Sequence, residues 1–221
     1  NGHPQNDLNA ALAAARKAFE AMPESAEAMD LLVSLYLASG RTDEAIRSFQ
    51  QADAAGTLDA EGKVLLGRLL LEAGRPDAAR QALEAALAAG SGSALARNDL
   101  AFLLADAEQD LERALSLALE SKEARPEDPV VADTLGFVLL KRGLAGPAEA
   151  RFREALRLAE ERGEVQPAYH YRLGLALQAQ GRPGEAAAAF EEALELDAGF
   201  PEEAAARSAL EAARAEAGGA S

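Results

Sequence analysis

Small residues recur in this chain at a fixed distance. Gly40 in LASGRTDEA and Gly74 in LEAGRPDAA lie 34 residues apart, and Ala45 and Ala79, Phe49 and Leu83, and Ala52 and Ala86 keep the same offset. The set returns as Gly143, Ala148, Phe152 and Ala155 in LKRGLAGPAEARFREAL, and as Gly181, Ala186, Phe190 and Ala193 in QAQGRPGEAAAAFEEAL. A period of this length marks an array in which each unit buries its apolar face against its neighbours. A four-helix bundle would carry a heptad instead, so the array is the preferred architecture.

The unit of paired helices resembles the tetratricopeptide repeat. That family's pattern has a small residue at position 8, Gly near 15, Ala at 20, a large apolar residue at 24, Ala at 27 and often Pro at 32. In this register the repeats run 26–59, 60–93, 94–128, 129–162 and 167–200. DLNAALAAARKAFEAMP fits an orphan second helix over 6–22, with Ala11, Ala15, Ala18 and Pro23 in place. PEEAAARSALEAARAEA reads as a capping helix over 201–217. The resemblance implies an all-α, right-handed superhelical solenoid that occupies residues 1–221 as one domain. Position 4, often a large aromatic in the family, holds Met29, Lys63, Arg97, Ala132 and His170. Repeat three lacks the turn glycine and carries an extra residue in LLADAEQDLERAL. An insertion near ERGEVQP is expected to lengthen a helix or loop.

This register accounts for Gly136, which sits in the middle of the helical pattern PVVADTLGFVLLKRG at a cost of about 1 kcal/mol relative to alanine. It occupies position 8, as do Gly67, Ala101 and Gly174. A larger side chain there would hold the two helices of a repeat apart. Val33 stands in that place in repeat one and predicts looser packing. Pro76 and Pro183 follow the turn glycines at the starts of second helices, where a missing N–H has no partner to lose. Thr42 is the expected N-cap in repeat one.

Composition narrows the function. Hydrophobic residues are 49% of the chain but aromatics only 5%, with no Trp, so the core must be built mostly from Ala and Leu. The net charge of −15 disfavours nucleic acid and favours either a basic partner or plain solubility. With no cysteine, disulfides and cysteine-based metal or nucleophile sites are excluded. No run of about 20 apolar residues exists to span a membrane. NGHPQND carries neither a signal-peptide pattern nor an initiator Met, so the chain reads as a fragment or a trimmed form. Its compartment, whether cytoplasmic, periplasmic or lipid-anchored, is left open. The 18 Arg against 4 Lys fit a GC-rich bacterial genome.

The resemblance implies that the first helix of each repeat lines a concave groove through positions 2, 5, 9, 12 and 13. These are Asp30 and Ser34; Val64, Arg68 and Glu72; Asn98, Phe102 and Asp106; Asp133, Phe137 and Lys141; and Tyr171, Leu175 and Gln178. Asn98 and Asp133 share one position in adjacent repeats, and Phe102 and Phe137 share another one turn on. Neighbouring helices lie roughly 8–10 Å apart and an extended peptide rises about 3.3 Å per residue, so each repeat would meet about three ligand residues. The candidate peptide-binding residues are Arg68, Asn98, Phe102, Asp133, Phe137, Tyr171 and Arg172. Asn98 and Asp133 would hydrogen-bond a ligand backbone, and the aromatics would accept apolar side chains. The competing reading packs both phenylalanines between adjacent first helices and leaves Asp133 capping a helix or facing water. One subclass of the family grips a terminal carboxylate with several groove cations. Arg68, Lys141 and Arg172 fall in different repeats and form no such clamp.

No catalytic, cofactor-binding or metal-binding constellation emerges. The histidines are His3 and His170, and the latter holds a helix-packing position that reads as a partly buried structural residue. HExxH, GxxxxGK[ST] and GxSxG are absent. GRPGEA is a turn between helices, with no preceding strand to make a phosphate loop. The pairs Glu191–Glu192 and Glu202–Glu203 are adjacent on a helix, point in different directions and read as solvated face. The expected function is therefore a non-enzymatic scaffold that binds a protein or peptide segment. The alternative is a self-associating array that forms a homo-oligomer. NDLAFLLA and VADTLGFVLLKRG resemble the final repeats of bacterial arrays, many exported or lipid-anchored, including those associated with exopolysaccharide and exosortase systems.

Overall fold

The repeat spacing produces helices and turns at the expected places. A computed structural model describes residues 4–197 and 199–219; His3 lies outside them. Among the described residues there are twelve helices and no strand. They are α1 (Pro4–Ala21), α2 (Ala26–Ala38), α3 (Thr42–Ala54), α4 (Ala60–Glu72), α5 (Pro76–Ala88), α6 (Ala94–Asp106), α7 (Leu111–Ala124), α8 (Pro129–Lys141), α9 (Ala145–Arg162), α10 (Pro167–Ala179), α11 (Pro183–Leu196) and α12 (Glu203–Gly219). The chain divides into two compact units, Asn1–Leu100 and Ala101–Ser221, with α6 contributing to both.

In each unit, consecutive helices pack pairwise. In the first, α1 packs on α2, α3 on α4 and α4 on α5, while α2 and α3 are more loosely associated. In the second, α7 packs on α8 and each later helix packs on the next through α12. There α8 also reaches α10, and α10 reaches α12, so first helices of successive repeats touch.

Position 8 sets the closeness of each pair. A Cβ at Gly136 would stand 2.7 Å from the Phe152 ring, one at Gly174 2.4 Å from Phe190, and one at Gly67 2.7 Å from Leu83. The large side chain of the second helix thus lies directly on the backbone of the first. Burying a Phe of this kind stabilises the fold by about 2–3 kcal/mol, which offsets the glycine's helix penalty. Repeat three reverses the sizes: Ala101 takes position 8, and its extra residue brings Ala118 to the place that Phe152 holds in repeat four. Both alanines are fully buried. In repeat one Val33 is half-buried, and the α2–α3 pair is correspondingly loose.

The turn glycines Gly40, Gly74, Gly143 and Gly181 all have φ between +66° and +76°, the left-handed region that closes a helix C-terminus. Repeat three lacks this glycine and places Glu108 (φ 51°) and Asp110 (φ 39°) there instead. Asp110 then caps α7, its carboxylate accepting from the Arg113 N–H at 3.1 Å. Asp59 and Asp128 cap α4 and α8 in the same manner. Thr42 does not act as an N-cap: α3 begins at Thr42 itself, and the cap position is held by Arg41 with no side-chain cap bond. The preceding turn is shut by Gly40 and leaves no extended residue between the helices for a threonine to occupy.

The ERGEVQP insertion lengthens α9 to 18 residues, ended by Gly163 at φ 68°. Turn arginines tie repeats two, four and five to the second helix of the one before: Arg75 to Asp43 at 2.7 Å, Arg142 to Glu112 at 2.5 Å and Arg182 to Glu149 at 2.7 Å. These pairs, at or near the surface, contribute little individually, about 0–1 kcal/mol each. At the C-terminal end α12 lays Ala206, Leu210 and Ala213 against its neighbours and leaves its other face polar or small, the form of a cap. Among the described residues no helix is long and apolar enough to cross a membrane.

Candidate functional site

In the second unit, five of the seven candidate residues stand on three first helices: Phe102 on α6, Asp133 and Phe137 on α8, and Tyr171 and Arg172 on α10. The i, i+4 spacing of Asp133 and Phe137 puts both on one face of α8. Phe102 and Phe137 stack on each other, with ring centroids 5.0 Å apart and an interplanar angle of 26°. The guanidinium carbon of Arg172 lies 5.3 Å from the centre of the Phe102 ring and 5.2 Å from that of Phe137. Arg172 Nη1 donates to Asp133 Oδ2, and its Nη2 lies 3.7 Å from Glu202 Oε1. The four side chains form one contiguous cluster.

Burial makes this cluster unusual. The Asp133 side chain is 4% exposed and that of Arg172 13%. Asp133 Oδ1 is buried without a hydrogen-bond partner. A buried acceptor left unmatched costs about 1–3 kcal/mol. Burial pushes the Asp133 carboxyl up to about 6, opposed by the charge and hydrogen bond of Arg172, while Glu202 reinforces the rise. Burial, with Asp133 next in effect, also raises the neighbouring Tyr169 phenol to about 12. At the rim Lys141 sits 5.5 Å from the Phe137 ring centre and pairs with Glu108 at 2.9 Å.

Tyr171 takes a different direction. Its ring lies 5.9 Å from Phe190 and 6.3 Å from Phe200, against the cluster of Ala193, Phe200 and Ala206. Burial raises its phenol, with Glu202 adding to the effect.

In the first unit Arg68 is exposed on α4. Asn98 is buried; its Nδ2 lies 3.4 Å from Asp99 Oδ1 and its own Oδ1 has no partner. Burial raises the Asp99 carboxyl, countered by Asn98 and then by the charge of Arg68. Val64, expected to face a groove, is instead a core residue at 5% exposure.

The expected open aromatic surface differs from what is found. Phe137 is buried and Phe102 half-buried, because the rings stack and Arg172 lies over both. The packing of the two phenylalanines between first helices, the competing reading of the sequence, describes this arrangement, whereas Asp133 neither caps a helix nor faces water. Glu202, read from the sequence as solvated helix face, is instead half-buried in the turn before α12 beside Arg172, and no repeat position marks it because it lies outside the five repeats. Lys141 and Asp133 each stand one turn from Phe137 on the same helix face, and that spacing is the signal the sequence offers.

Among the described residues no group of three or more His, Cys, Asp or Glu side chains is placed to hold a metal ion. His170 is half-buried and burial lowers its pKa, in keeping with a packing role. A separate cleft of about 260 Å³ lies between α1 and α3, lined by Phe19, Pro23, Ser48, Ala52 and Thr57, and includes none of the candidate residues.

Profiles of the tetratricopeptide repeat family match residues 5–69, 64–129 and 167–200, together more than half of the chain. No curated protein matches it. Among solved structures, a chain of the APC/C hetero-tetramer Cut9-Hcn1 superposes over 94% of this chain with a TM-score of 0.72 and 18% identity. This chain spans 40% of that protein's length. MamA 41-end from Desulfovibrio magneticus RS-1 superposes over 79% of this chain and 96% of its own, with a TM-score of 0.63 and 20% identity. TTC0263, a thermophilic TPR protein of Thermus thermophilus, covers 82% of this chain and 94% of its own, with a TM-score of 0.59 and 26% identity.

Proposed function

Because this chain belongs to the tetratricopeptide repeat family, we propose that it is a non-enzymatic scaffold whose first helices in residues 101–221 bind an extended segment of a partner protein. The supporting observation is the gathering of Phe102, Phe137, Arg172 and Asp133 on those helices. Aromatic residues and arginine beside a carboxylate are the composition of an interface hot spot. Tyr171 stands next to this cluster along α10, and Arg68 and Asn98 hold first-helix positions in the other unit. The net charge of −15 favours a basic partner. The likeness of NDLAFLLA and VADTLGFVLLKRG to exported bacterial arrays supports a place within a bacterial assembly of that kind.

The test is a selection of random peptides on the order of ten residues long, enough to meet three repeats at about three residues each. Affinities of the selected peptides are then measured for the parent, Phe102→Ala and Phe137→Ala proteins, with helicity checked by circular dichroism. A tenfold or greater weakening in either variant is expected. Unchanged affinity at preserved helicity rejects the reading. Light scattering across concentration addresses the self-association alternative, which a mass rising to a multiple of the 23.0 kDa chain would favour.

A further inference from the structure

Arg172 fills the cluster incompletely. A guanidinium carries parallel N–H groups and grips a carboxylate best as a fork, both oxygens at once. Arg172 uses Nη1 on Asp133 Oδ2 and turns Nη2 toward Glu202, so its fork is divided between two carboxylates. Asp133 Oδ1 is left with no donor although it is buried. The stacked pair Phe102–Phe137 supplies an aromatic wall, already 5.2–5.3 Å from a guanidinium carbon. Wall and half-satisfied carboxylate together have the chemistry of a receptor for a guanidinium group.

We propose that Phe102, Phe137 and Asp133 form a binding site for an arginine side chain of a partner protein, which Arg172 fills in the partner's absence and leaves by moving to Glu202. This rests on the reading that the first-helix face binds a partner segment, and it names the side chain recognised. Glu202, half-buried and already 3.7 Å from Nη2, is the waiting seat for the displaced cation. An incoming arginine would satisfy both oxygens of Asp133 and restore the charge balance that Arg172 gives up. Arginine is favoured over lysine because a planar guanidinium stacks flat on rings and presents two parallel N–H groups to a carboxylate, while an ammonium is a compact, strongly hydrated point charge. The ammonium of Lys141 accordingly sits at the rim, on Phe137, with Glu108 as its carboxylate. The excess negative charge of the chain draws a basic segment toward it.

The experiment is an NMR titration of the whole chain with Nα-acetyl-arginine amide, and with the corresponding citrulline amide as a neutral isostere. The parent, Arg172→Ala, Arg172→Ala with Asp133→Asn, and Glu202→Gln proteins are compared. Arg172→Ala is expected to bind the arginine probe at least tenfold more tightly than the parent does, and at least tenfold more tightly than it binds citrulline. Adding Asp133→Asn removes that preference. Glu202→Gln weakens the parent's binding several-fold, since Arg172 loses its second seat. A folded Arg172→Ala protein that does not distinguish arginine from citrulline overturns the proposal, as does a preference that survives Asp133→Asn. Should Arg172→Ala not fold, selected peptides with each arginine replaced by citrulline decide the matter on the parent and Glu202→Gln proteins. A tenfold loss on replacement, smaller in Glu202→Gln, supports the site, and equal binding overturns it. Peptides that still bind and still require Phe102 and Phe137 would leave the scaffold reading standing without the arginine site.

Discussion

Arg172 on α10 and Asp133 on α8 are joined by an ion pair across 39 residues of sequence, with the carboxylate almost wholly inside the protein. The pair links the first helices of repeats four and five at a depth where most repeat contacts are apolar. Its energetics follow from burial. Each ion loses its hydration, and their attraction repays this only when the remaining hydrogen bonds are made. Here Asp133 Oδ1 makes none.

Removing one ion should therefore be worse than removing both. Arg172→Met keeps the length of the side chain and leaves Asp133 without its cation; a loss of about 3–5 kcal/mol is expected. Arg172→Met with Asp133→Leu replaces the whole pair by apolar groups and should recover most of that loss. Urea denaturation followed by circular dichroism measures both. A double variant no more stable than the single one would show that the ion pair contributes more than its desolvation removes.

The same carboxylate gives the fold a pH signature. Burial raises Asp133 from 3.8 to about 6, against the pull of Arg172. The folded chain then holds this proton to higher pH than the unfolded chain does. Between about pH 4 and pH 6 the folded state binds more protons, so Asp133's contribution to stability falls as pH rises through that window and stays reduced above it. The groups facing it are Arg172 and Tyr169 from α10 and Glu202 from the segment before α12. Carboxylates whose pKa is lowered, such as Glu44 and Glu185, titrate in the opposite sense but are common to parent and variant. Against Asp133→Asn, the parent should lose on the order of 2 kcal/mol of relative stability from pH 4 to pH 7. A constant difference across that range would contradict it.

The helix pairs are legible in the sequence because packing at position 8 is a one-to-one size rule repeated at a fixed interval. Gly136 against Phe152 and Gly174 against Phe190 each state it locally. Tyr171 and Arg172 are readable as first-helix residues for the same reason. What the period does not supply is which side chains meet across repeats. The register assigns Asp133 and Phe137 to the α8 face, but their burial depends on the length and direction of Arg172, 39 and 35 positions away. Glu202 belongs to no repeat, so no periodic signal reports it. Thr42 misleads because a threonine after a turn glycine is consistent with either a cap or a first helical residue, and φ at Gly40 decides between them.

The size rule makes a quantitative prediction. Gly136→Ala gains up to about 1 kcal/mol in helix propensity but drives a methyl to 2.7 Å from the Phe152 ring. Overpacking of this kind typically costs about 1–3 kcal/mol, so a net loss is expected. Gly136→Ala with Phe152→Leu opens room for the methyl, as repeat three does with Ala101 and Ala118. A double-mutant cycle should give a favourable coupling of about 0.5–3 kcal/mol. Thermal unfolding of the four proteins tests it, and strict additivity would mean that the two positions do not compete for space.

The turns offer a pair of substitutions with opposite signs. Gly143 has φ 76° and nothing within 4 Å of a Cβ, so Gly143→Ala acts through backbone strain alone. A left-handed conformation costs a residue with a side chain about 1–2 kcal/mol, and a loss in that range is expected. Glu108 already bears such a strain at φ 51°. Glu108→Gly relieves it while giving up the exposed ion pair with Lys141, which at 68% exposure of the Glu108 side chain contributes about 0–1 kcal/mol. The net expectation is stabilisation by up to about 1 kcal/mol. If both variants lose stability to a similar extent, Glu108 is held by more than its strain, and the ion pair across 33 residues to α8 is the group to remove next, through Lys141→Met.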